Sequence, residues 1–125
     1  MAIPYEKKLP PVLNNGLGKF FEVISGKWKA FLLFYINKGV KRPGQLQRMI
    51  PDADRRVLSQ QLNELLTDGL LTRKIVKQKP LHVEYELTAM GESILPVLCT
   101  INNWGDFYKE ENERRSHAEQ QDEKA

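Results

Sequence analysis

Hydrophobic residues near the start of the chain recur at helical spacing in two consecutive segments. In the first they follow the i, i+3, i+4, i+7 pattern of one apolar helix face, at Leu17, Phe20, Phe21 and Ile24. Ser25-Gly26 is predicted to end this helix. A second helix is predicted over about residues 27–37, with one side formed by Trp28, Phe31, Leu32 and Tyr35. It ends at Lys38-Gly39, where glycine can adopt the left-handed conformation of a helix C-cap.

Residues 43–69 show the pattern of two helices joined by a tight turn. Pro43 suits the first turn of the first helix, whose apolar positions are Leu46, Met49 and Ile50. Residues 51–54 form the turn, and the Asp54 carboxylate is predicted to cap the second helix. That helix begins at Arg55, ends at Asp68-Gly69 and has a buried stripe of Val57, Leu58, Leu62, Leu65 and Leu66. Its opposite face is polar and carries Arg56, Ser59, Gln60 and Asn63.

Two β-rich segments, residues 71–77 and 83–87, precede one long helix. Residues 40–42 are predicted to add a small third strand to the same sheet. Thr88 is predicted to cap the final helix, in which Pro96 is a point of bending. The apolar face of this helix comprises Ile94, Val97, Leu98, Ile101, Trp104, Phe107 and Tyr108. The predicted fold class is therefore mainly α with a small antiparallel β-wing, a winged helix-turn-helix.

Length and composition favour one domain with extensions at both ends. A chain of 125 residues is too short for two independent cores of ordinary size. Residues 1–13 are expected to form an extended arm, because Pro4, Pro10 and Pro11 interrupt any amphipathic period. Residues 14–108 form the winged domain, and residues 109–125 are predicted to be a polar, frayed tail.

Composition also bears on the compartment. The longest apolar run, residues 30–36, is far too short to span a membrane, and no signal-peptide pattern precedes it. The single cysteine, Cys99, cannot form an internal disulfide, so we expect a cytoplasmic protein. Because Cys99 falls on the apolar face of the last helix, it is predicted to be a buried, unreactive thiol.

Positive charge is concentrated in the middle of the chain. Residues 26–82 hold twelve Lys/Arg against four Asp/Glu, a local balance of +8, whereas the whole chain carries +3. Residues 83–104 contain no Lys or Arg. A polyanionic partner for the central segment is the simplest interpretation, with an ordinary solvated surface as the alternative.

Residue patterns that support catalysis are absent. Two histidines, His82 and His117, and one cysteine cannot assemble a zinc cluster. No glycine-rich phosphate loop precedes a helix, and no Gly-x-Ser-x-Gly nucleophile elbow occurs. We therefore predict a protein that is not an enzyme and that has no cofactor or metal.

The candidate DNA-binding residues lie on the second central helix, in the wing and beside Trp28. Arginine offers a rigid donor fork for guanine edges or phosphates. Positive charge at a helix start opposes the helix dipole and is locally unfavourable. This local cost favours a functional role for Arg55 and Arg56. Ser59 and Gln60 are predicted to contact bases, and Asn63 is predicted to contact the DNA backbone. Gln61 is predicted to have a structural role. Phosphate contacts are predicted for Lys27, Lys77, Lys79 and His82. For each, the alternative is a solvated surface residue.

The first and last helices carry more apolar residues than one small domain can cover. A homodimer is therefore predicted, with an interface formed by Leu17, Phe20, Phe21, Leu98, Ile101, Trp104, Phe107 and Tyr108. Trp28, Tyr85 and Trp104 are predicted to be core or dimer residues. Aromatic residues near such an interface could also line a cavity for a small-molecule effector.

Three sequence islands resemble the HxlR family of bacterial transcriptional regulators. They are residues 24–28 (Ile-Ser-Gly-Lys-Trp), residues 57–71, and residues 80–88 followed by Gly91, Leu95-Pro96 and Trp104-Gly105. The resemblance spans roughly residues 14–108. It implies a winged-helix fold, a homodimer built from terminal helices, and binding of double-stranded DNA at an inverted-repeat operator.

Two departures from the family pattern matter. Many members have a redox-sensing cysteine in the region of the first helix, where this chain has Asn14, Asn15, Gly16 and Leu17. Their thiol switch therefore cannot be transferred. His82 replaces a frequent arginine of the wing, which could weaken a phosphate contact or make it pH-dependent, since imidazole titrates near neutrality.

Two functions follow from these observations. The favoured one is a dimeric, sequence-specific DNA-binding regulator. The alternative is a winged-helix docking module for another protein, because fold alone does not determine function. The basic central segment and the Arg55-Arg56 pair favour DNA.

Overall fold

A computed structural model describes residues 14–124, so the predicted arm at residues 1–13 lies outside the described residues. Two compact units meet between Glu92 and Ser93. The elements between residues 14 and 124 are α1 (Gly16–Ile24), α2 (Lys29–Asn37), α3 (Pro43–Met49), α4 (Arg55–Thr67), β1 (Leu71–Lys77), β2 (His82–Leu87) and α5 (Ala89–Lys124). The predicted fold class, a mainly α winged helix-turn-helix with a small antiparallel wing, is confirmed.

The first two helices differ from the prediction in where they bury their side chains. The Asn15 side chain accepts a hydrogen bond from the Gly18 N–H (2.9 Å) and caps α1, none of whose residues is buried. Helix α2 buries Lys29, Leu32, Leu33 and Ile36, which share the i, i+3, i+4, i+7 spacing. The predicted apolar side of α2 grouped Phe31 with Leu32, whereas Phe31 is 51% exposed. The buried stripe instead includes Lys29, which a pattern of hydrophobic residues does not count.

Helices α3 and α4 form the predicted helix-turn-helix. The Asp54 carboxylate accepts a hydrogen bond from the Arg56 N–H (2.8 Å), which confirms the predicted cap. Across the turn, the Gln47 side-chain amide donates to the Ala53 carbonyl (2.8 Å) and so ties the end of α3 to the start of α4. Helix α4 packs Leu58, Leu62 and Leu65 inward and is followed by Gly69 in the left-handed region (φ +80°).

The wing is a two-stranded antiparallel hairpin. Leu71 pairs with Leu87 and Ile75 with Val83, and a bulge then brings Lys77 opposite His82. The predicted third strand at residues 40–42 is absent from the described sheet. This segment makes one backbone hydrogen bond to β2, from the Tyr85 N–H to the Lys41 carbonyl (2.9 Å). The extended stretch is too short for a ladder because α3 begins at Pro43.

Thr88 joins the wing to the final helix. Its hydroxyl donates to the Gly69 carbonyl (2.6 Å) and accepts from the Gly91 N–H (3.0 Å), which confirms its predicted capping role. The backbone at Gly91 lies so close to the residue before β1 that a Cβ there would collide with the Leu70 carbonyl oxygen. Only glycine suits this position without a local shift.

Helix α5 continues to Lys124, so the described part of the predicted tail, residues 109–124, is helical. The prediction of fraying rests on polar composition alone. Helical neighbours instead pair along this segment, with Arg114 to Glu111 at 2.8 Å and the Arg115 guanidinium donating to Asn112 (2.8 Å). Glu, Arg, Gln and Ala also have high helix propensity.

Leu98, predicted at a dimer interface, is 4% exposed. Cys99 was predicted to be buried and is exposed, so that prediction is wrong. Successive helix positions point about 100° apart, so the apolar face that contains Leu98 does not include its neighbour Cys99. No helix within residues 14–124 is long and apolar enough to cross a membrane.

Candidate nucleic-acid interface

The exposed side of α4 presents the five polar residues that the sequence predicted for DNA. These residues, called the recognition face below, are Arg55, Arg56, Ser59, Gln60 and Asn63, and all are exposed. The opposite side of the helix is anchored by Leu58, Leu62 and Leu65. A helix anchored in this way presents donors and acceptors in a fixed orientation, as contact with the edges of DNA bases requires.

Two polar contacts from the start of α2 hold α4 in place. The Trp28 N–H donates to the Gln61 side-chain oxygen (2.8 Å), so the prediction of a structural role for Gln61 is confirmed. The Lys29 ammonium lies 2.9 Å from the Glu64 carboxylate, and the Lys29 side chain is 0% exposed. The hydrophobic pattern does not predict a buried Lys29, because lysine is almost always exposed. Its helical spacing to Leu32, Leu33 and Ile36 was the available signal.

Lys27 and the wing lysines are exposed, as a role at a DNA surface requires. The Lys27 ammonium lies 4.9 Å from the centre of the Trp28 ring, a cation–π distance that orients the lysine. Lys77 ends β1, and Lys79 lies in the turn of the wing. These three cations lie outside α4 and so extend the charged surface beyond the recognition face.

His82 is placed differently from the other eight candidates. Its side chain is 20% exposed, and Nε2 lies 3.3 Å from a Glu84 carboxylate oxygen. Nε2 is covered and makes no aligned hydrogen bond to any residue within 14–124. The side chain therefore lines a cleft and does not project freely from the wing.

This cleft lies between α3, the start of α4 and the wing, and it is called the α3–wing cleft below. It encloses about 470 Å³, and the residues that define it include Arg42, Gln45, Arg48, Arg55, Leu81 and His82. Arg42 and Arg48 were not among the predicted DNA-binding residues. Both lie in the basic central segment, but only the fold places them beside the wing.

Comparison with known protein families identifies the family of this helix-turn-helix. Residues 23–113 match the family described as HxlR-like helix-turn-helix. The chain belongs to the HxlR family. The resemblance predicted from the three sequence islands is therefore confirmed.

Relatives of this HxlR-family chain are regulators by name. It is 43% identical over 90 residues to the uncharacterized HTH-type transcriptional regulator YkvN of Bacillus subtilis, which covers 72% of this chain and 76% of YkvN. The solved structure of the HTH-type transcriptional regulator ytcD has a TM-score of 0.71 at 37% identity, over 75% of this chain and 96% of ytcD. The redox regulator HypR in its reduced form has a TM-score of 0.72 at 34% identity, over 76% of this chain and 94% of HypR.

These similarities make the chain a transcriptional regulator with a helix-turn-helix fold. The prediction that it is not an enzyme is confirmed by the same family membership. The fold and the class of function are thereby established, and the roles of individual side chains follow as proposals.

Apolar side chains are exposed on both terminal helices of this HxlR-family chain. On α1, Leu17 is 69% and Phe21 58% exposed, and Phe20 is half-buried. On α5, the exposed residues of the predicted interface are Ile101, Trp104, Phe107 and Tyr108, with the Trp104 and Tyr108 rings stacked at 5.4 Å. Seven of the eight predicted interface residues are thus accessible or half-accessible, and Leu98 is the exception.

Proposed function

We propose that this HxlR-family protein is a cytoplasmic, sequence-specific DNA-binding regulator that binds an inverted-repeat operator as a homodimer. The observation that carries the proposal is the recognition face of α4, which is polar and exposed while the other side of the helix is packed against the core. Base edges in the major groove present hydrogen-bond donors and acceptors that side chains of this kind recognise.

Within this proposal the cationic and amide residues have different tasks. Arg56, Ser59 and Gln60 contact base edges, where arginine pairs with guanine and glutamine with adenine. Arg55 at the start of α4 and Asn63 further along contact the backbone. Lys27, Lys77 and Lys79 bind phosphates, which position the protein and carry no sequence information. His82 supports the wing beside them.

The homodimer is supported by the exposed apolar residues of α1 and α5. A second copy of the chain would remove this surface from water, which is favourable by about 25 cal/mol per Å² of apolar surface. Two-fold symmetry would then place two recognition helices in successive major grooves, roughly 34 Å apart along the DNA. An inverted-repeat operator has the same symmetry.

The redox regulation in HypR's name is not extended to this chain. Its one cysteine, Cys99, lies on α5, and no cysteine occurs in residues 1–98. A switch that joins two cysteines within one chain is therefore impossible here.

A competition binding assay tests the division of tasks. Wild type, Gln60→Ala and Lys79→Ala would be titrated against the promoter region beside the protein's own gene and against a scrambled duplex. Gln60→Ala should lose about 1–3 kcal/mol on the promoter and less on the scrambled duplex. Lys79→Ala should weaken both duplexes alike, because phosphates are common to both.

Arg115→Ala, an exposed cation on α5, is the matched control and should leave both affinities unchanged. If Gln60→Ala kept the wild-type ratio of promoter to scrambled affinity, as Lys79→Ala is expected to do, the assignment of α4 would be wrong. The docking-module function would then be favoured.

A further inference from the structure

Arginines around the α3–wing cleft carry charge that no other described residue neutralises. Arg42, Arg48 and Arg55 are exposed, and none forms an ion pair within residues 14–124. Other cations of the same unit do have carboxylate partners, as in Lys19–Glu22, Lys29–Glu64 and Lys41–Glu86. Lys27, Arg56, Lys77 and Lys79 likewise form no ion pair within residues 14–124, so the three arginines belong to a wider surface of unneutralised positive charge.

The lining of the cleft favours an anion. Three guanidinium groups, which stay charged at any physiological pH, surround a space of about 470 Å³ whose lining contains no Asp or Glu. The nearby Glu84 carboxylate lies against His82 Nε2 at 3.3 Å and is not part of the lining. Gln45 adds an amide donor. Guanidinium groups match the oxygens of a phosphate in geometry, so a phosphate group is the expected ligand class.

The position of the cleft indicates where that phosphate comes from. In a duplex, each sugar-phosphate strand runs between a major groove and the adjacent minor groove. If α4 lies in the major groove, as proposed above, and the wing lies over the neighbouring groove, the intervening strand passes between them. The α3–wing cleft lies there, because Arg55 of α4 and Leu81 and His82 of the wing belong to the same lining.

We propose that the α3–wing cleft binds a phosphodiester group of the DNA strand that passes between α4 and the wing. Arg42 and Arg48 are then phosphate-binding residues in addition to those predicted from the sequence. This proposal rests on the proposed DNA-binding function and adds a defined site to it.

Salt-dependent binding measures the number of phosphates neutralised. Full-length wild type, Arg42→Gln, Arg48→Gln and the control Arg115→Gln would be titrated against promoter and scrambled duplexes by fluorescence anisotropy, between about 50 and 200 mM salt. Each cleft variant should bind both duplexes roughly tenfold more weakly. Its log–log salt slope should be less steep by about 0.9 per protomer. Arg115→Gln should match wild type, and thermal unfolding would verify that each variant is folded.

Two outcomes would overturn the proposal while the DNA-binding function stands. In the first, both cleft variants keep the wild-type affinity and salt slope on DNA. In the second, calorimetric titration of DNA-free wild type with inorganic phosphate shows saturable micromolar binding that is lost in Arg42→Gln, which would indicate a site for a small anion. Weak phosphate binding, explained by ionic strength alone, supports the backbone assignment. If wild type bound neither duplex at low salt, the proposed function itself would fail, and the cleft assignment with it.

Discussion

The buried ion pair between Lys29 and Glu64 leads to the sharpest prediction about the fold. The Lys29 side chain is 0% exposed, and its ammonium lies 2.9 Å from the Glu64 carboxylate, which is 17% exposed. The Val23 carbonyl lies further away, at 3.5 Å. Glu64→Gln keeps the shape of the side chain but removes the negative charge. It leaves a buried ammonium facing a neutral amide.

The two halves of this pair should not be equivalent. Removing one partner of a buried ion pair costs about 3–5 kcal/mol. We expect Glu64→Gln at the lower end, about 3 kcal/mol, because the amide oxygen can still accept a hydrogen bond from Lys29. Lys29→Met replaces the ammonium with an apolar group of similar length, and water reaches the partly exposed Glu64. We expect it to cost less than about 1.5 kcal/mol.

Urea unfolding followed by circular dichroism would measure both variants at one fixed protein concentration, since oligomers unfold at concentration-dependent midpoints. The double variant Lys29→Met/Glu64→Gln serves as control and should be close to Lys29→Met, because both variants lack the buried ammonium. Equal losses for the two single variants, or a larger loss for Lys29→Met, would refute the assignment of Glu64 as the counterion of a buried lysine.

Three further outcomes are expected. Gly91→Ala should lower the free energy of unfolding by about 1–3 kcal/mol in urea titration, because its methyl group meets the Leu70 carbonyl; an unchanged value would contradict the close approach. Wild type should scatter light as twice the 14.5 kDa chain, and Ile101→Lys/Trp104→Glu as a monomer; a wild-type monomer at micromolar concentration would exclude the dimer. DNA affinity of wild type should fall with salt at a log–log slope of roughly −5 to −9, if each protomer neutralises ~3–5 phosphates; a nearly flat slope would contradict an electrostatic interface.

Local features of the sequence were sufficient for most element boundaries. The Asp54 cap, the glycine after α4 and the alternating wing strands each act within a few residues, so their signals are visible in the chain. The start of β2 was misplaced by one residue, from Val83 to His82, since a bulge shifts the register there. Errors of this size are typical of element ends.

The features that were missed depend on contacts between distant positions. Burial of Lys29 requires Glu64 from another helix, and the contact from Trp28 to Gln61 spans 33 positions. The α3–wing cleft forms only when the hairpin brings His82 beside Arg42. Neither arrangement has a local pattern. The recognition face was predictable because α4 carries its buried and its exposed residues on opposite sides of one helix.

Hydroxyl-radical footprinting of full-length wild type on the promoter beside its own gene tests the central claim most directly. Two recognition helices related by two-fold symmetry should protect two segments whose sequences are inverted copies. Their centres should lie one helical turn apart, about 10–10.5 bp, or a multiple of it. Protection should persist in the presence of excess scrambled duplex. A footprint without two-fold symmetry, or one that scrambled duplex removes as readily as the promoter itself, would contradict sequence-specific binding by a homodimer.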